Sequence, residues 1–460
     1  MNKKRIEHLK DGNHQGKYVI YWMQSAQRIH VNHALNRAAE IANENNLPLV
    51  VYFALYSNYP DANTRSYTFM LEGLQDVKTW LSNFGISFVL RIGEGQKVIF
   101  DYLSDAHTLV MDKGYLKHQR SWQKYVYEQA INLNLGLSIE VVDTNLLVPV
   151  KEASPKREYG AYTIRPKIMK QFELFRDSST LPVLKNKTII HFKSDDELEN
   201  IDETLKKLKL DDTVKASPFF KGGYIQASRL FTMFLYQDLN DYVDRNDPSN
   251  PKLSHMSMYL HFGQISPLDL LERIDFAIIQ KQVTQASADA FIEQLIVRRE
   301  LAINFVYYTK DYDDFSSMTQ NWAYKTMDKH QFDERPYLYD INDYETFKTH
   351  DLAFNAAMIE MVLTGYMHNY MRMYWAKKII EWSPTYQKAY DIILYLNNKY
   401  FIDGRDPNSY AGVAWCFGNH DRPWKERDVF GQLRYMNDKG LKRKFNIEAY
   451  IKKMYTLINE

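Results

Sequence analysis

The first 145 residues alternate between short apolar runs and helical patterns, and this alternation limits the folds open to the chain. The second run, LVVYFAL, has almost no polar residue, as expected for a strand covered on both faces. The apolar runs cover residues 17–23, 49–55, 86–92, 108–112 and 138–143. Strands separated by helices predict an α/β fold with a doubly wound, parallel, five-stranded, Rossmann-like sheet.

The strand signal ends there, and the remaining chain divides into a connection and a helical part. Residues 1–16 are polar and predict an N-terminal tail before the α/β domain at 17–145. Prolines and a charged run at 146–215 predict an interdomain linker with one or two short helices. Residues 216–460 predict a larger all-α domain. Its predicted helices cover 226–245, 266–281, 286–309, 343–349, 353–381 and 385–399.

Composition is that of a soluble globular protein, so any nucleic-acid binding must come from local clusters. Hydrophobic residues make up 45% of the chain and charged residues 25%, and the formal net charge is +1. No apolar run reaches the length of about 18 residues that predicts a transmembrane span. The polar start lacks a secretory segment, so we expect a cytoplasmic protein. The single cysteine, Cys416, excludes an internal disulfide and a multi-cysteine metal site, and no metal is predicted.

The segment GYMHNYMRMYWAKKIIEW is unusually polar for a helix within an apolar pattern. Asn369 and Arg372 are three residues apart and share a helix face, while Trp375 and Trp382 are seven apart and share a stripe. An amphipathic helix with core tryptophans explains the same spacing. A buried arginine needs a carboxylate, and Asp403, which follows an apolar helix end, is the partner that we expect for Arg372.

Two other segments have a structural and a functional interpretation. Ser254 and Ser257 are small hydroxyl residues of the kind that, with loop amides, can cradle phosphates, although the start of a helix explains them equally well. Glu300 follows two arginines in EQLIVRREL. A solvated face of an amphipathic helix is the default interpretation of this segment, and a carboxyl group that hydrogen-bonds a substrate carbonyl is the alternative.

The C-terminal stretch 400–445 mixes acids, arginines, glycines and tryptophans, which is poor material for a core. It suits a concave site for a large, flat, charged ligand. Basic groups contact phosphates and aromatic rings stack on bases, so the interleaving predicts a nucleic-acid surface, whereas an ordinary solvated face is the alternative. The basic and aromatic members include Arg422, Arg427, Arg434, Trp415 and Trp424.

Together these motifs resemble the class II cyclobutane pyrimidine dimer photolyases of the cryptochrome/photolyase family. The similarity runs from YVIYWMQSAQRIHVNHAL through YLHFGQIS, VRREL and THD…NAA to GYMHNYMRMYWAKKIIEW and FIDGRDPNSYAGVAW. It implies an enzyme that splits pyrimidine dimers in DNA by electron transfer from excited, reduced FAD to a flipped-out dimer. A cryptochrome-like blue-light sensor with weak or no repair is the alternative on the same fold.

The resemblance also implies roles for individual residues. The implied FAD contacts are Tyr242, Ser254, Ser257, Asn369, Arg372, Asp403 and Asp406. The implied catalytic residues are Glu300, Asn397, Trp375 and Trp382. The implied dimer and DNA contacts are Met373, Trp415, Trp424, Arg422, Arg427 and Arg434. The family further implies damaged DNA as the partner, a monomer, and an N-terminal domain that holds a deazaflavin, a folate or no second chromophore.

One position departs from the family's chain of tryptophans, through which oxidised flavin is reduced again. Trp375 and Trp382 match its inner and outer members, whereas the middle position is Phe354. Phenylalanine is much harder to oxidise than tryptophan, so we predict slow or absent photoreduction, with repair intact once FAD is reduced chemically. The alternative carriers are three nearby tyrosines, Tyr339, Tyr366 and Tyr374.

Overall fold

A computed structural model describes residues 1–13 and 15–458 and has an N-terminal sheet followed by a helical domain. The strands are β1 (Ile6–Lys10), β2 (Tyr18–Trp22), β3 (Leu49–Leu55), β4 (Ser87–Ile92), β5 (Ala106–Asp112) and β6 (Ser138–Val142). Their order across the sheet is β1-β6-β5-β2-β3-β4. The pairs among β2 to β6 are parallel, which confirms the predicted α/β class.

The N-terminal segment expected to be a tail instead contributes a sixth strand. Strand β1 pairs antiparallel with β6 at the edge of the sheet. Its side chains are only partly buried, so its sequence lacks the apolar run that marks a central strand. Arg5, just before it, donates hydrogen bonds to the carbonyls of Leu146, Leu147 and Phe175 at 2.8–2.9 Å. These bonds fasten the start of the chain to the segment that leaves the sheet.

Helices cover both faces of the sheet, as a doubly wound fold requires. They are α1 (His33–Glu44), α2 (Thr64–Phe84), α3 (Gly95–Val98), α4 (Phe100–Leu103) and α5 (Lys117–Asn132). Val19 and Tyr21 pack in the core beneath α1 and α2, whereas Ile20 and Trp22 pack in the core beneath α4 and α5. Successive residues of one strand therefore fill opposite cores, because side chains alternate across a strand.

The connection between the domains has three α-helices, one more than the one or two short helices that the sequence predicts. They are α6 (Val150–Ala153), α7 (Ala161–Gln171) and α8 (Ile201–Leu208), with a 3₁₀ turn at Glu173–Phe175. Leu184, Leu198 and Leu208 pack in the same core as α1 and α2. The connection therefore covers part of the α/β domain on its way to the helical domain.

The helical domain contains thirteen α-helices within the described residues. They are α9 (Tyr224–Gln237), α10 (Met256–His261), α11 (Pro267–Ile279), α12 (Gln285–Ile292), α13 (Arg299–Tyr308), α14 (Asn321–Lys329), α15 (Ile341–Glu345), α16 (Leu352–Thr364), α17 (Asn369–Trp382), α18 (Tyr386–Tyr400), α19 (Pro407–Cys416), α20 (Asp438–Lys444) and α21 (Ile447–Thr456). A 3₁₀ turn, Leu239–Asp244, follows α9, and a π-helix, Glu293–Arg298, joins α12 to α13. Within residues 1–13 and 15–458, no helix has the length and apolar character needed to span a bilayer.

The single helix predicted at 353–381 is wrong, because the chain breaks between α16 and α17. Gly365 ends α16 with φ of 80°, a left-handed conformation that glycine adopts without strain. A Cβ atom there would lie 2.8 Å from the side chain of Ile402. The break starts α17 afresh at Asn369, and this fixes which of its residues face the interior of the domain.

Candidate active site

A cavity of about 470 Å³ opens within the helical domain. Its walls come from α10, the π-helix, the start of α17, the end of α18 and α19. Many residues singled out in the sequence line it. They are Tyr242, Ser254, Ser257, Asn369, Arg372, Met373, Trp375, Asn397, Asp403, Asp406 and Trp415.

The expected pair of Arg372 and Asp403 is confirmed and lies on the cavity wall. The guanidinium donates to both carboxylate oxygens, at 3.0 and 3.2 Å. Its Nε also donates to the Met367 carbonyl in the break between the two helices, at 2.9 Å. The ring of Phe401 lies 3.9 Å from the guanidinium carbon. Arg372 is thus fixed on several sides and presents a positive charge to the cavity.

A second carboxylate, Asp406, caps α19 and binds a histidine that the sequence did not single out. Its Oδ1 accepts from the backbone N–H of Asn408 at 2.8 Å, and its Oδ2 lies 3.0 Å from Nδ1 of His261. Burial raises the pKa of the Asp406 carboxyl group most, but the hydrogen bond and charge interaction with His261, the Asn408 N–H and the charge of Arg299 together lower it below its ordinary value. Asn397 nearby donates to Asn398 at 3.0 Å. This bond orients the Asn397 amide on the cavity wall.

The end of the cavity near α10 combines cationic and hydroxyl groups suited to phosphate. Ser254 and Ser257 line it together with Arg245, a residue missed in the sequence. Arg245 is held by its own hydrogen bond to the Tyr242 carbonyl at 3.1 Å and lies over the Tyr242 ring at 4.7 Å. Burial lowers the pKa of His255 to about 4, so this neighbour is neutral and adds no charge.

Glu300, which is expected to meet a substrate, does not line the cavity among the described residues, so its substrate contact stays a prediction. Its Oε1 accepts from the backbone N–H of Leu147 at 2.6 Å, so the side chain points toward the interdomain connection. Only 2% of the residue is exposed, and burial raises the pKa of its carboxyl group to about 8. Gln294, in the π-helix that precedes α13, lines the cavity.

A Glu300→Gln substitution tests this structural role. The folded state holds a proton on Glu300 up to a pKa of about 8, whereas the unfolded chain releases it near the ordinary carboxyl pKa of 4.5. Native stability therefore falls as pH rises between these values, by up to about 1.4 kcal/mol per pH unit. Glutamine removes this dependence, so we expect a flatter profile of unfolding free energy against pH, measured in denaturant from pH 5 to 9. Parallel profiles for the two chains would contradict the assignment.

The basic residues of the tail form a surface cluster outside the cavity. Arg434 pairs with Asp421 at 3.1 Å and lies 4.3 Å from the Trp424 ring and 5.2 Å from the Trp415 ring. Arg422 lies 5.4 Å from the Trp424 ring, and Arg427 covers Tyr435 at 5.1 Å. Only Trp415 in this cluster reaches the cavity wall. Cations and aromatic rings therefore alternate from the solvent inward.

Both tryptophans that are expected to carry electrons, Trp375 and Trp382, are buried. Trp375 lines the cavity, and its indole N–H points to the sulfur of Met358 at 3.0 Å. Trp382 lies at the other end of α17, where its ring meets Phe354 at 5.1 Å and Tyr339 at 5.4 Å. Phe354 itself is completely buried. The structure thus places Phe354 against the outer tryptophan.

A smaller cavity of about 100 Å³ lies between the two domains. Tyr56 and Trp122, which line it, stack on each other at 4.2 Å with an interplanar angle of 12°. Pockets for drug-sized ligands usually measure roughly 300 Å³ or more. The residues of this second cavity therefore do not fit a deazaflavin or a folate in the shape that the structure shows.

The fold and the large cavity define a two-domain protein that holds one large ligand with a phosphate part and a flat part. The orphaned Nδ1 of His255 and the hydroxyls beside Arg245 suit the first part, and the Arg372–Asp403 pair suits the second. Residues 19–184 match the family model described as DNA photolyase. Over 97% of this chain and 96% of the relative, the sequence is 44% identical to the deoxyribodipyrimidine photo-lyase of Methanothermobacter thermautotrophicus. The chain belongs to the DNA photolyase family.

Other relatives agree with this assignment. The deoxyribodipyrimidine photo-lyase of Arabidopsis thaliana is 38% identical over 96% of this chain and 89% of its own length. A class III photolyase from Agrobacterium tumefaciens superposes with a TM-score of 0.74 at 18% identity, covering 96% of this chain and 87% of that one. A cryptochrome from Synechocystis gives 0.73 at 16% identity, covering 95% and 88%. These distant structures show the shared fold.

Proposed function

We propose that the protein is a class II deoxyribodipyrimidine photo-lyase, which splits cyclobutane pyrimidine dimers in DNA under light. The observation that carries the proposal is the cavity that gathers a fixed cation, an end lined by hydroxyl and cationic groups, and the side chains of Met373 and Trp415. The similarity to curated photo-lyases over nearly the whole chain supports the reaction. The class II assignment is supported by the long motifs around α17 and α19.

FAD in its reduced form supplies, when bound and excited by light, the electron that opens the cyclobutane ring. Tyr242, Ser254, Ser257 and Arg245 are the residues that would hold its phosphate-bearing part. Asn369, Arg372, Asn397, Asp403 and Asp406 would hold the flat part.

The chain's own groups tune the chemistry by charge and by exclusion of water. Arg372, kept in place by Asp403, stabilises negative charge on a ring beside it. Trp375, Phe401 and Leu295 give the wall a dry surface, which strengthens electrostatic interactions in the cavity. Trp415 offers an indole against which a flipped base can stack. The tail arginines supply cations for the strand phosphates.

Light-dependent repair of a defined thymine dimer tests the proposal. Protein reduced chemically without oxygen is mixed with a dimer-containing oligonucleotide, and intact thymines are measured after blue light and after darkness. We expect repair only in the light, and none of a (6-4) photoproduct in the same sequence. No loss of dimers in the light would leave the blue-light sensor as the better interpretation.

A further inference from the structure

Lys377, on α17, is a buried cation that none of the assigned roles uses. Only 1% of the residue is exposed, and among the described residues no carboxylate lies within ion-pair distance of it. Its ammonium donates to the carbonyl of Cys416, the last residue of α19. Burial lowers its pKa to about 8. An unpaired buried ammonium is costly, so this position calls for a physical reason.

The physical reason for a buried Lys377 is the indole ring of Trp415, which lies beside its ammonium group. The ammonium of Lys377 is 5.8 Å from the centroid of Trp415 and 6.0 Å from that of Phe430. The guanidinium of Arg434 is 5.2 Å from the same Trp415 ring. Two cations from different parts of the chain therefore contact the one indole that reaches from the tail cluster to the cavity wall.

Lys377 restrains both the backbone and the side chain at this point. Its hydrogen bond to Cys416 fixes the residue that follows Trp415, at the helix end where carbonyls carry partial negative charge. Its charge attracts the face of the Trp415 ring. A ring already held in one orientation loses less entropy when a base stacks on it.

We propose that Lys377 is a positioning residue that holds Trp415 in the orientation in which it stacks on the flipped-out pyrimidine dimer. This role of Lys377 rests on the proposed function. It assigns part of the enzyme's lesion recognition to a residue that lies behind the wall of the large cavity. Arg434 contacts the same ring with a partly exposed side chain and under the proposed function would meet the strand, whereas Lys377 is too deeply buried to touch DNA.

The test is a Lys377→Met variant, which keeps the length of the side chain and removes the charge. We expect affinity for a dimer-containing oligonucleotide, measured in the dark by anisotropy, to fall about tenfold. Affinity for the undamaged sequence should stay the same, because the surface arginines are intact. The melting temperature should not fall, because methionine replaces an unpaired buried cation. An unchanged preference for the dimer would overturn the proposal.

Two controls separate positioning from a general packing defect. Lys378→Met removes the neighbouring lysine, which is 7% exposed and pairs with Glu381 at 2.7 Å. It should leave dimer affinity unchanged. In a double-mutant cycle, Lys377→Met should cost little once Trp415→Ala is present. Equal losses in both backgrounds would show that Lys377 acts elsewhere and would defeat the proposal.

The native protein gives an independent test if the methionine variant does not fold. Lys377 loses its charge as pH rises through about 8, so preference for the dimer should decline across that range. The other charged or titratable groups that act on it are Cys416, whose pKa burial raises to about 11, Asp421 and Arg434. A flat preference from pH 7 to 9 would contradict the role. Failure of native repair in light would instead reject the proposed function.

Discussion

Phe354→Trp is expected to make light-driven reduction of the bound, oxidised flavin at least about tenfold faster than in the native chain. In the native structure the completely buried Phe354 ring meets Trp382 at 5.1 Å. Trp375, at the cavity wall, has its ring contact with Phe401 at 6.3 Å and none with Trp382 among the described residues. A side chain that is hard to oxidise thus packs against the outer tryptophan, at the position that the family motif gives to the middle tryptophan.

Trp382 already has aromatic neighbours along a route for electron transfer to the surface. The substitution therefore changes electron transfer between Trp375 and Trp382, and not the transfer beyond Trp382. Tyr339 lies 5.4 Å from Trp382, and Tyr337, 46% exposed, lies 6.3 Å beyond it. A tryptophan at 354 would add an oxidisable ring to this route at the contact with Trp382. The same surroundings make Tyr339 the best placed of the tyrosines considered as substitute carriers.

The measurement is the loss of oxidised-flavin absorption under blue light with a thiol donor. Phe315→Trp is the matched control, because Phe315 packs in a different aromatic cluster with Tyr390 and Phe417. Repair by chemically reduced protein should be similar in all three chains, which also shows that the larger side chain is accommodated. Rapid photoreduction of the native chain would mean that Phe354 is no barrier.

The secondary structure was predicted best where the spacing of apolar residues matches the burial of the element in the fold. Strands β2 to β6 are apolar because helices cover both faces of the sheet, so their pattern stands out. Strand β1 was missed because an edge strand is half exposed and its pairing depends on a partner far along the chain. The break at Gly365 was missed because helical spacing continues across it, and only the left-handed turn separates the two helices.

The site was predictable where a charge rule applies and unpredictable where helix geometry decides. Arg372 and Asp403 were paired because a buried cation needs a carboxylate, and the structure contains that pair. Glu300 was assigned to the substrate from its motif position, and that contact stays a prediction, whereas Gln294 of the π-helix lines the cavity without a signal in the sequence. Lys377 gave no signal, since a lysine in an amphipathic helix is expected at the surface.

Asp403→Asn is expected to yield a protein that purifies with less than about a tenth of the native flavin content. The carboxylate accepts both guanidinium bonds of Arg372, and its side chain is only 9% exposed. Removing one partner of a buried pair leaves the other charge uncompensated, which typically costs about 3–5 kcal/mol. Asparagine keeps the shape but offers one acceptor oxygen, so the arginine loses the orientation in which it faces the cavity.

Flavin content per protein, measured by absorbance after denaturation, gives the result directly. Asp391→Asn on α18 is the matched control, because that exposed carboxylate binds only Gln387, at 2.8 Å, among the described residues. An Arg372→Met, Asp403→Asn double variant shows which feature matters. If the cation beside the ring is required, removing both charges restores folding stability but not flavin. Native flavin content in Asp403→Asn would show that the pair only fixes α17 to the segment between α18 and α19, and the ring-binding role of Arg372 would then fail.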